Sequence, residues 1–130
     1  MSHHRQVVTA LNAPAAVGPY SHAVATGGLL FCSGQVPLDP ESGKLIGETA
    51  GEQTRRCLEN LSLVAAAGGA TLADAVRMTI YVTDMGAFQE VNEVYGGYFR
   101  QDPPARVTIG VAALPAGAQV EIDAVIALPD

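Results

Sequence analysis

The sequence predicts an α+β fold in which two helices cover one face of a mixed six-stranded sheet. Short runs rich in Val, Ile and Ala read as strands, and two other stretches carry apolar residues at helical spacing. At 130 residues, 48% of them apolar, the chain is long enough for one modest core. We therefore treat residues 1–130 as a single domain.

The N-terminal third predicts strands joined by turns. The strand-like runs are residues 5–10, 22–26 and 29–35. Gly27-Gly28 separates the last two runs and is a two-residue hairpin signal. Residues 12–19, with two prolines and a glycine, predict an ordered loop, and residues 37–47 predict a turn-rich excursion.

The first helix has a clear beginning and end. Thr49 and Glu52 have the spacing of a capping box, in which each side chain accepts a hydrogen bond from the other's backbone. Gly68-Gly69 then stops the helix. Between these signals one apolar stripe is expected to face the core: Cys57, Leu58, Leu61, Val64 and Ala65.

A strand and a second helix follow. Residues 76–83 alternate between apolar and polar side chains, which predicts a half-buried strand. Its core-facing residues are expected to be Val76, Met78, Ile80 and Val82. Asp84 is expected to cap the second helix, in which Phe88, Val91, Tyr95 and either Tyr98 or Phe99 recur at helical spacing.

The last two strands are predicted at residues 106–113 and 119–128, joined by a turn at Pro115-Ala116-Gly117. The final strand is apolar on one face from Val120 to Leu128 and turns apolar on the other at Val125 and Ala127. Apolar residues on both faces suggest that another subunit covers the helix-free face. We therefore expect an obligate oligomer.

Composition narrows the function classes. The net charge of −6 and the scattered basic residues disfavour nucleic acid as a partner, because phosphate binding needs clustered Lys and Arg. We see neither an apolar span of membrane length nor a signal peptide, so we expect a soluble cytoplasmic protein. Cys32 and Cys57 read as buried apolar residues, and His22 has no neighbours at metal-ligand spacing.

Two charged residues in the last quarter are the main candidates for chemistry. Arg106 follows Pro103-Pro104-Ala105, which directs it into the next strand, and its guanidinium can bind a carboxylate through two hydrogen bonds. Glu121 lies in an apolar strand and could hold or protonate a water. We expect both to converge on one shielded crevice. The alternatives are a salt bridge within the chain for Arg106 and a solvated strand position for Glu121.

Other polar residues and a glycine elsewhere in the sequence could complete such a pocket. Tyr20 and Ser33 supply hydroxyl groups, and Gly34 allows close approach of a ligand to the backbone. Asn92 lies on the second helix beside its core stripe. There are two alternative interpretations. Tyr20, Ser33 and Gly34 could belong to ordinary turns, and Asn92 could be an amide on the helix surface.

Several motifs in one order resemble the Rid family, the reactive intermediate deaminases also called the YjgF family. They are residues 13–21 (APAAVGPYS), 33–39 (SGQVPLD), 53–55 (QTR), 58–61 (LENL), 91–95 (VNEVY), 103–106 (PPAR) and 120–122 (VEI). The resemblance implies a chorismate-mutase-like fold and a homotrimer whose sheets pack into a central barrel. It also implies ligand sites in clefts between subunits.

The activity implied is hydrolysis of 2-enamino or 2-imino acids, such as 2-aminoacrylate and 2-iminopropanoate, to 2-keto acids and ammonia, with no metal or organic cofactor. By this resemblance Arg106 clamps the substrate carboxylate and Glu121 positions the attacking water. Tyr20, Ser33, Gly34, Asn92 and Thr108 would shape the substrate pocket.

Two positions depart from the family pattern. Thr108 stands where many members carry Cys, so a role for that thiol would be lost here. His22 replaces a commoner Gln after Gly-Pro-Tyr-Ser, either at the pocket rim or merely at the start of a strand.

Two other functions stay open at this point. A non-catalytic protein that binds or senses small carboxylates such as 2-keto acids would use Arg106 and leave Glu121 idle. An RNA-directed protein, as some relatives have been described, fits the acidic composition poorly.

Overall fold

A computed structural model describes residues 4–130, so the first three residues of the predicted domain lie outside it. The six strands are β1 (Gln6–Val8), β2 (Ala23–Thr26), β3 (Leu29–Gln35), β4 (Ala75–Val82), β5 (Ala105–Gly110) and β6 (Val120–Ala127). The two helices are α1 (Ala50–Ala67) and α2 (Phe88–Gly96). This element order confirms the predicted α+β fold.

All six strands form one mixed sheet in the spatial order β1-β2-β3-β6-β4-β5. The β4–β5 pair is parallel and every other neighbouring pair is antiparallel. Strand β5 is therefore an edge strand, and the last strand of the sequence lies in the middle of the sheet. The β3–β6 register shifts between Cys32 and Gln35, so the pairing is irregular around Ser33 and Gly34.

The predicted capping box opens α1. The Thr49 hydroxyl accepts from the Glu52 backbone N–H at 3.1 Å, and Glu52 Oε1 accepts from the Thr49 backbone N–H at 3.1 Å. All five residues of the predicted apolar stripe are fully buried. The helix ends at Ala67 with Gly68 as its C-cap, and the next residue, Gly69, has a φ of 81°, which favours glycine. The local sequence signals thus define this helix completely.

Both helices pack on one face of the sheet. Helix α1 contacts α2 and the central strands β3 and β6. On the central strands, five side chains that point toward the helices are fully buried: Leu30, Met78, Ile80, Ile122 and Ile126. The predicted arrangement of two helices on one face is confirmed.

The opposite face carries a band of exposed apolar side chains. Val7, Val24, Phe31 and Val125 are neighbours in register across β1, β2, β3 and β6. Val7 is 52% exposed and Phe31 44% exposed. Val107 and Ile109 extend the apolar surface on β5. A single chain leaves this surface in water, as expected for a face that another subunit covers.

Three sequence predictions need correction. Val76 is 47% exposed, because the β4–β6 register shifts between Ala75 and Arg77 and alternation begins only at Met78. Asp84 caps the 3₁₀ turn Met85–Ala87, which leads into α2, rather than α2 itself. Strand β5 ends at Gly110, three residues earlier than predicted.

Candidate functional site

Arg106 lies on edge strand β5 and points toward the helices. It is in register with Met78 of β4, which is fully buried on the helix face. Its guanidinium carbon lies 4.9 Å from the centroid of the Tyr95 ring and 5.7 Å from that of Phe88. Among residues 4–130 no carboxylate forms an ion pair with Arg106, so the predicted alternative of a salt bridge within the chain is wrong for this part of it. Two aromatic faces thus hold a cation whose hydrogen-bond donors remain available for an anion.

Polar side chains of β5 and α2 lie on the same side of the sheet as this arginine, and two of them have no partner within residues 4–130. Thr108 lies two residues further along β5 and is in register with Ile80, and Asn92 shares a face of α2 with Phe88 and Tyr95. The Thr108 hydroxyl and the Tyr95 hydroxyl are buried and have no hydrogen-bond partner within residues 4–130. Buried polar groups normally have one, so these two mark a place for a ligand, water or neighbouring chain.

We call this set the arginine half-site: Phe88, Asn92, Tyr95, Arg106 and Thr108. Burial raises the pKa of Tyr95 to about 12, against an opposing effect of the Arg106 charge. The hydroxyl of Tyr95 therefore keeps its proton across the physiological range and can donate a hydrogen bond. The arginine half-site offers donors to an anionic ligand.

Glu121 occupies the other face of the sheet. Its neighbours Val120 and Ile122 are fully buried under the helices, so the Glu121 side chain points to the helix-free face, beside Tyr81 of β4. Burial raises the pKa of Glu121, and the negative charge of Asp123 raises it further. This carboxyl group therefore holds its proton more tightly than a solvated glutamate does.

A cavity of about 240 Å³ opens at Glu121. We call its lining the acid half-site: Val17, Tyr20, Ser33, Gly34, Val36, Pro115 and Glu121. Four of the residues predicted from the sequence, Tyr20, Ser33, Gly34 and Glu121, are thus brought together. The cavity combines one carboxyl group with hydroxyl groups and small apolar side chains.

The walls of this cavity are fixed by local contacts. The Ser33 hydroxyl donates to the Ser21 carbonyl at 2.6 Å, and the Tyr20 hydroxyl accepts from the Val17 backbone N–H at 3.2 Å. A Cβ atom on Gly34 would lie 3.0 Å from Glu121 Cδ and closer still to Oε2. Because Gly34 has no side chain, the Glu121 carboxylate can occupy this space.

His22 anchors the loop that carries Tyr20. Its side chain is 7% exposed; Nδ1 accepts from the Ala10 backbone N–H at 3.0 Å, and Nε2 lies 2.8 Å from the Pro14 carbonyl oxygen. These two contacts assign the proton to Nε2, which donates to Pro14. His22 thus has a structural role beneath the loop and does not reach the acid half-site cavity.

The two half-sites are on opposite faces of the sheet, so one chain does not bring Arg106 and Glu121 together. The predicted convergence on one crevice can occur only between two chains. Asn92 and Thr108 belong with Arg106, whereas Tyr20, Ser33 and Gly34 belong with Glu121. All of these residues are predicted from the sequence to line one pocket, whereas the fold separates them into two sets.

Phe88 and Tyr95 are functional candidates that the sequence reasoning treated only as core residues. They are seven residues apart on α2 and both contact the Arg106 guanidinium. The signal available in the sequence was their shared helix face with Asn92. That signal does not identify the strand that the face meets.

We also looked within residues 4–130 for a metal site, a membrane-spanning helix and a reactive cysteine. Among residues 4–130, no group of three or more His, Cys, Asp or Glu side chains is arranged to hold a metal ion. No helix of residues 4–130 is long and apolar enough to cross a membrane. Cys32 and Cys57 are buried free thiols, and burial raises the pKa of both, that of Cys32 to about 12. Both cysteines are protonated and poor nucleophiles.

Comparison with known proteins identifies relatives that match nearly the whole chain. The profile of a family described as Endoribonuclease L-PSP matches residues 10–128. The RutC family protein y4sK of Sinorhizobium fredii is 50% identical over 117 residues, 90% of this chain and 93% of the relative. The 2-iminobutanoate/2-iminopropanoate deaminase of Mus musculus is 43% identical over 93% of this chain and 90% of its own length.

The fold has solved counterparts as well. The crystal structure of a putative endoribonuclease from Thermotoga maritima superimposes with a TM-score of 0.91 at 46% sequence identity. The match covers 96% of this chain and 98% of that one.

Proposed function

This chain belongs to the Rid (YjgF) family, and we propose that it hydrolyses reactive 2-enamino and 2-imino acids, such as 2-aminoacrylate and 2-iminopropanoate, to 2-keto acids and ammonia. It would thus be a hydrolase resembling 2-iminobutanoate/2-iminopropanoate deaminases. The observation that carries the proposal is Arg106, which is stacked against two rings and has no acidic partner within residues 4–130. An arginine held in this way is suited to a small carboxylate ligand.

The proposed active form is a homotrimer in which the acid half-site of one chain faces the arginine half-site of the next. Three observations support this arrangement: the half-sites occupy opposite faces, β5 is a free sheet edge, and the helix-free face is apolar. A repeated contact between two different surfaces closes into a ring, as a trimer requires. The substrate would lie in the cleft between subunits.

Arg106 would bind the substrate carboxylate through parallel N–H···O bonds. Each charge-assisted hydrogen bond contributes about 1.5–3 kcal/mol. The rings of Phe88 and Tyr95 restrict the guanidinium plane, so less rotational freedom is lost when the substrate binds. Thr108 and Asn92 lie beside this position and would complete the contacts to the substrate.

Glu121 would position the water that attacks the imine carbon and would transfer its protons. Attack gives a carbinolamine, with a new C–O bond in place of the C=N π bond. Protonation of nitrogen then releases ammonia, and loss of the hydroxyl proton leaves the 2-keto acid. Because imines already hydrolyse in water, positioning and one carboxyl group supply the acceleration that is needed.

The test is to generate a 2-imino acid in situ with an amino acid oxidase and to follow its disappearance. Wild-type protein should accelerate the loss, and Arg106→Ala should abolish the acceleration. Glu121→Ala should lower turnover more than it lowers affinity for a 2-keto acid. Arg100→Ala removes an exposed arginine outside both half-sites and should behave as wild type.

Different results would favour the other functions. A wild-type protein that binds 2-keto acids through Arg106 but never outpaces buffer would be a binding or sensing protein. RNA binding that persists at moderate salt would contradict the expectation from the acidic composition.

A further inference from the structure

A second acidic residue lies on the same face as Glu121. Asp123 is two residues further along β6, so its side chain points to the helix-free face at a spacing of about 7 Å along the strand. The Tyr81 hydroxyl donates a hydrogen bond to Asp123 Oδ2 at 2.8 Å. Tyr81 is itself the register partner of Glu121. Tyr81 thus lies beside Glu121 and fixes the carboxylate of Asp123.

The residues around Glu121 do little to neutralise its charge. On β4 the cation of this face is Arg77, which is in register with Val125, two residues from Asp123 and four from Glu121. On β3 the nearest residues, Ser33 and Gly34, carry no charge. The loop contributes Tyr20, and Cys57 beneath the sheet is a protonated thiol. On β6, Asp123 is therefore the charged residue nearest to Glu121.

We propose that Asp123, oriented by Tyr81, is a positioning residue that keeps a proton on Glu121 and so makes Glu121 the proton donor to the imine nitrogen. This inference rests on the proposed function, because it assigns a role within the same reaction. Asp123 acts through Glu121 and is not placed in contact with the substrate.

The proton balance of the reaction fits this role. Protonated Glu121 gives its proton to the imine nitrogen, which makes the carbon more electrophilic. The resulting carboxylate then takes a proton from the attacking water as the C–O bond forms. It returns that proton to the amino nitrogen, ammonia departs as the C–N bond breaks, and the hydroxyl proton restores the starting carboxyl group. No oxidant, reductant or further reactant is needed.

The electrostatics of the two residues agree with the geometry. Burial and then the Asp123 charge raise the pKa of Glu121. The hydrogen bond to Asp123 is the largest cause of a raised pKa at Tyr81, so Tyr81 stays protonated and keeps donating. The pair therefore holds a negative charge at a fixed place beside Glu121.

The experiment measures the titration of Glu121 directly. Protein labelled with ¹³C at the glutamate side-chain carboxyl is titrated by NMR, and the Glu121 signal is assigned by its loss in Glu121→Gln. In Asp123→Asn the Glu121 midpoint should move to lower pH. Tyr81→Phe should move it in the same direction, because Asp123 then loses the hydrogen bond that fixes its carboxylate next to Glu121. Glu41→Gln removes an exposed acidic group elsewhere and should leave the midpoint in place.

The kinetic profile gives a second measurement. The fall in kcat/KM at high pH should shift to lower pH in Asp123→Asn, together with the NMR midpoint. An unchanged midpoint in Asp123→Asn and in Tyr81→Phe would overturn the inference. If wild-type protein never outpaces buffer on a 2-imino acid, the proposed function fails instead, while the titration still shows whether Asp123 controls Glu121.

Discussion

Arg106 and Glu121 lie on opposite faces of the same sheet, with strand β4 between their strands. Arg106 faces α2, and Glu121 faces the cavity on the helix-free side. One chain therefore carries both halves of the proposed site without joining them. This separation makes the assembly testable through activity.

Mixed oligomers should recover activity that neither parent variant has. Arg106→Ala retains the acid half-site and Glu121→Gln retains the arginine half-site. When the two are unfolded together and refolded, about one quarter of the clefts in a ring should combine two intact halves by chance. Activity of the mixture is compared with that of each variant refolded alone. A mixture as inactive as its parents would place both residues of a working site in one chain.

Gly34→Ala should lower kcat by about 10- to 100-fold, because the added Cβ occupies the space of the Glu121 carboxylate and displaces it. The clash is with the end of a flexible side chain, so thermal stability should change little. Gly96→Ala is the matched control, since its added Cβ meets nothing within 4 Å apart from its chain neighbours and the backbone of its own helix. Equal activity in the two variants would show that Glu121 is not held where we propose it acts.

Phe88→Leu should raise KM about 2- to 30-fold with a smaller effect on kcat, because an aromatic face contributes about 0.5–2 kcal/mol to holding a cation. Phe88→Tyr keeps the ring and should restore the wild-type KM. Steady-state kinetics on the imino acid separate the two constants. A fall in kcat at constant KM would argue against a role in carboxylate binding.

Glu121→Gln should stabilise the protein at neutral pH. Since the folded-state pKa of Glu121 is raised, the folded state binds this proton more tightly than the unfolded state does. Wild type therefore loses stability as the pH rises from about 4.5, the ordinary value, through the raised value. The variant lacks this loss, so the two should have similar melting temperatures below pH 4.5 and diverge above it. A variant that is less stable at pH 7 would contradict burial as the cause of the shift.

His22→Ala should destabilise the fold, because it leaves the Ala10 N–H and the Pro14 carbonyl without partners. Each buried group left unsatisfied costs about 1–3 kcal/mol. His22→Gln offers one acceptor and one donor and should be much less harmful. Urea denaturation of the three proteins measures the difference. Equal stability of wild type and His22→Ala would mean that water replaces both bonds.

The parts of the fold predicted correctly depend on local chemistry. The Thr49–Glu52 capping box and the apolar stripe behind it define α1 because both signals act within one or two helical turns. The alternation along β6 identified its buried face for a similar reason, since side chains of a strand alternate between two faces. Val76 escaped prediction because a register shift depends on the partner strand, which the sequence of β4 does not contain.

The sequence by itself determined which residues are candidates for chemistry: Arg106 and Glu121 are charges in apolar strands, and the motifs around them are specific to one family. Only the tertiary structure decided their relationship. Strand β4 lies between the strands of Arg106 and Glu121, and the two side chains point to opposite faces of the sheet. Helix α2 places Phe88 and Tyr95 against the guanidinium of Arg106. These outcomes depend on pairing and packing between segments distant in the chain, and local pattern carries no information about such contacts.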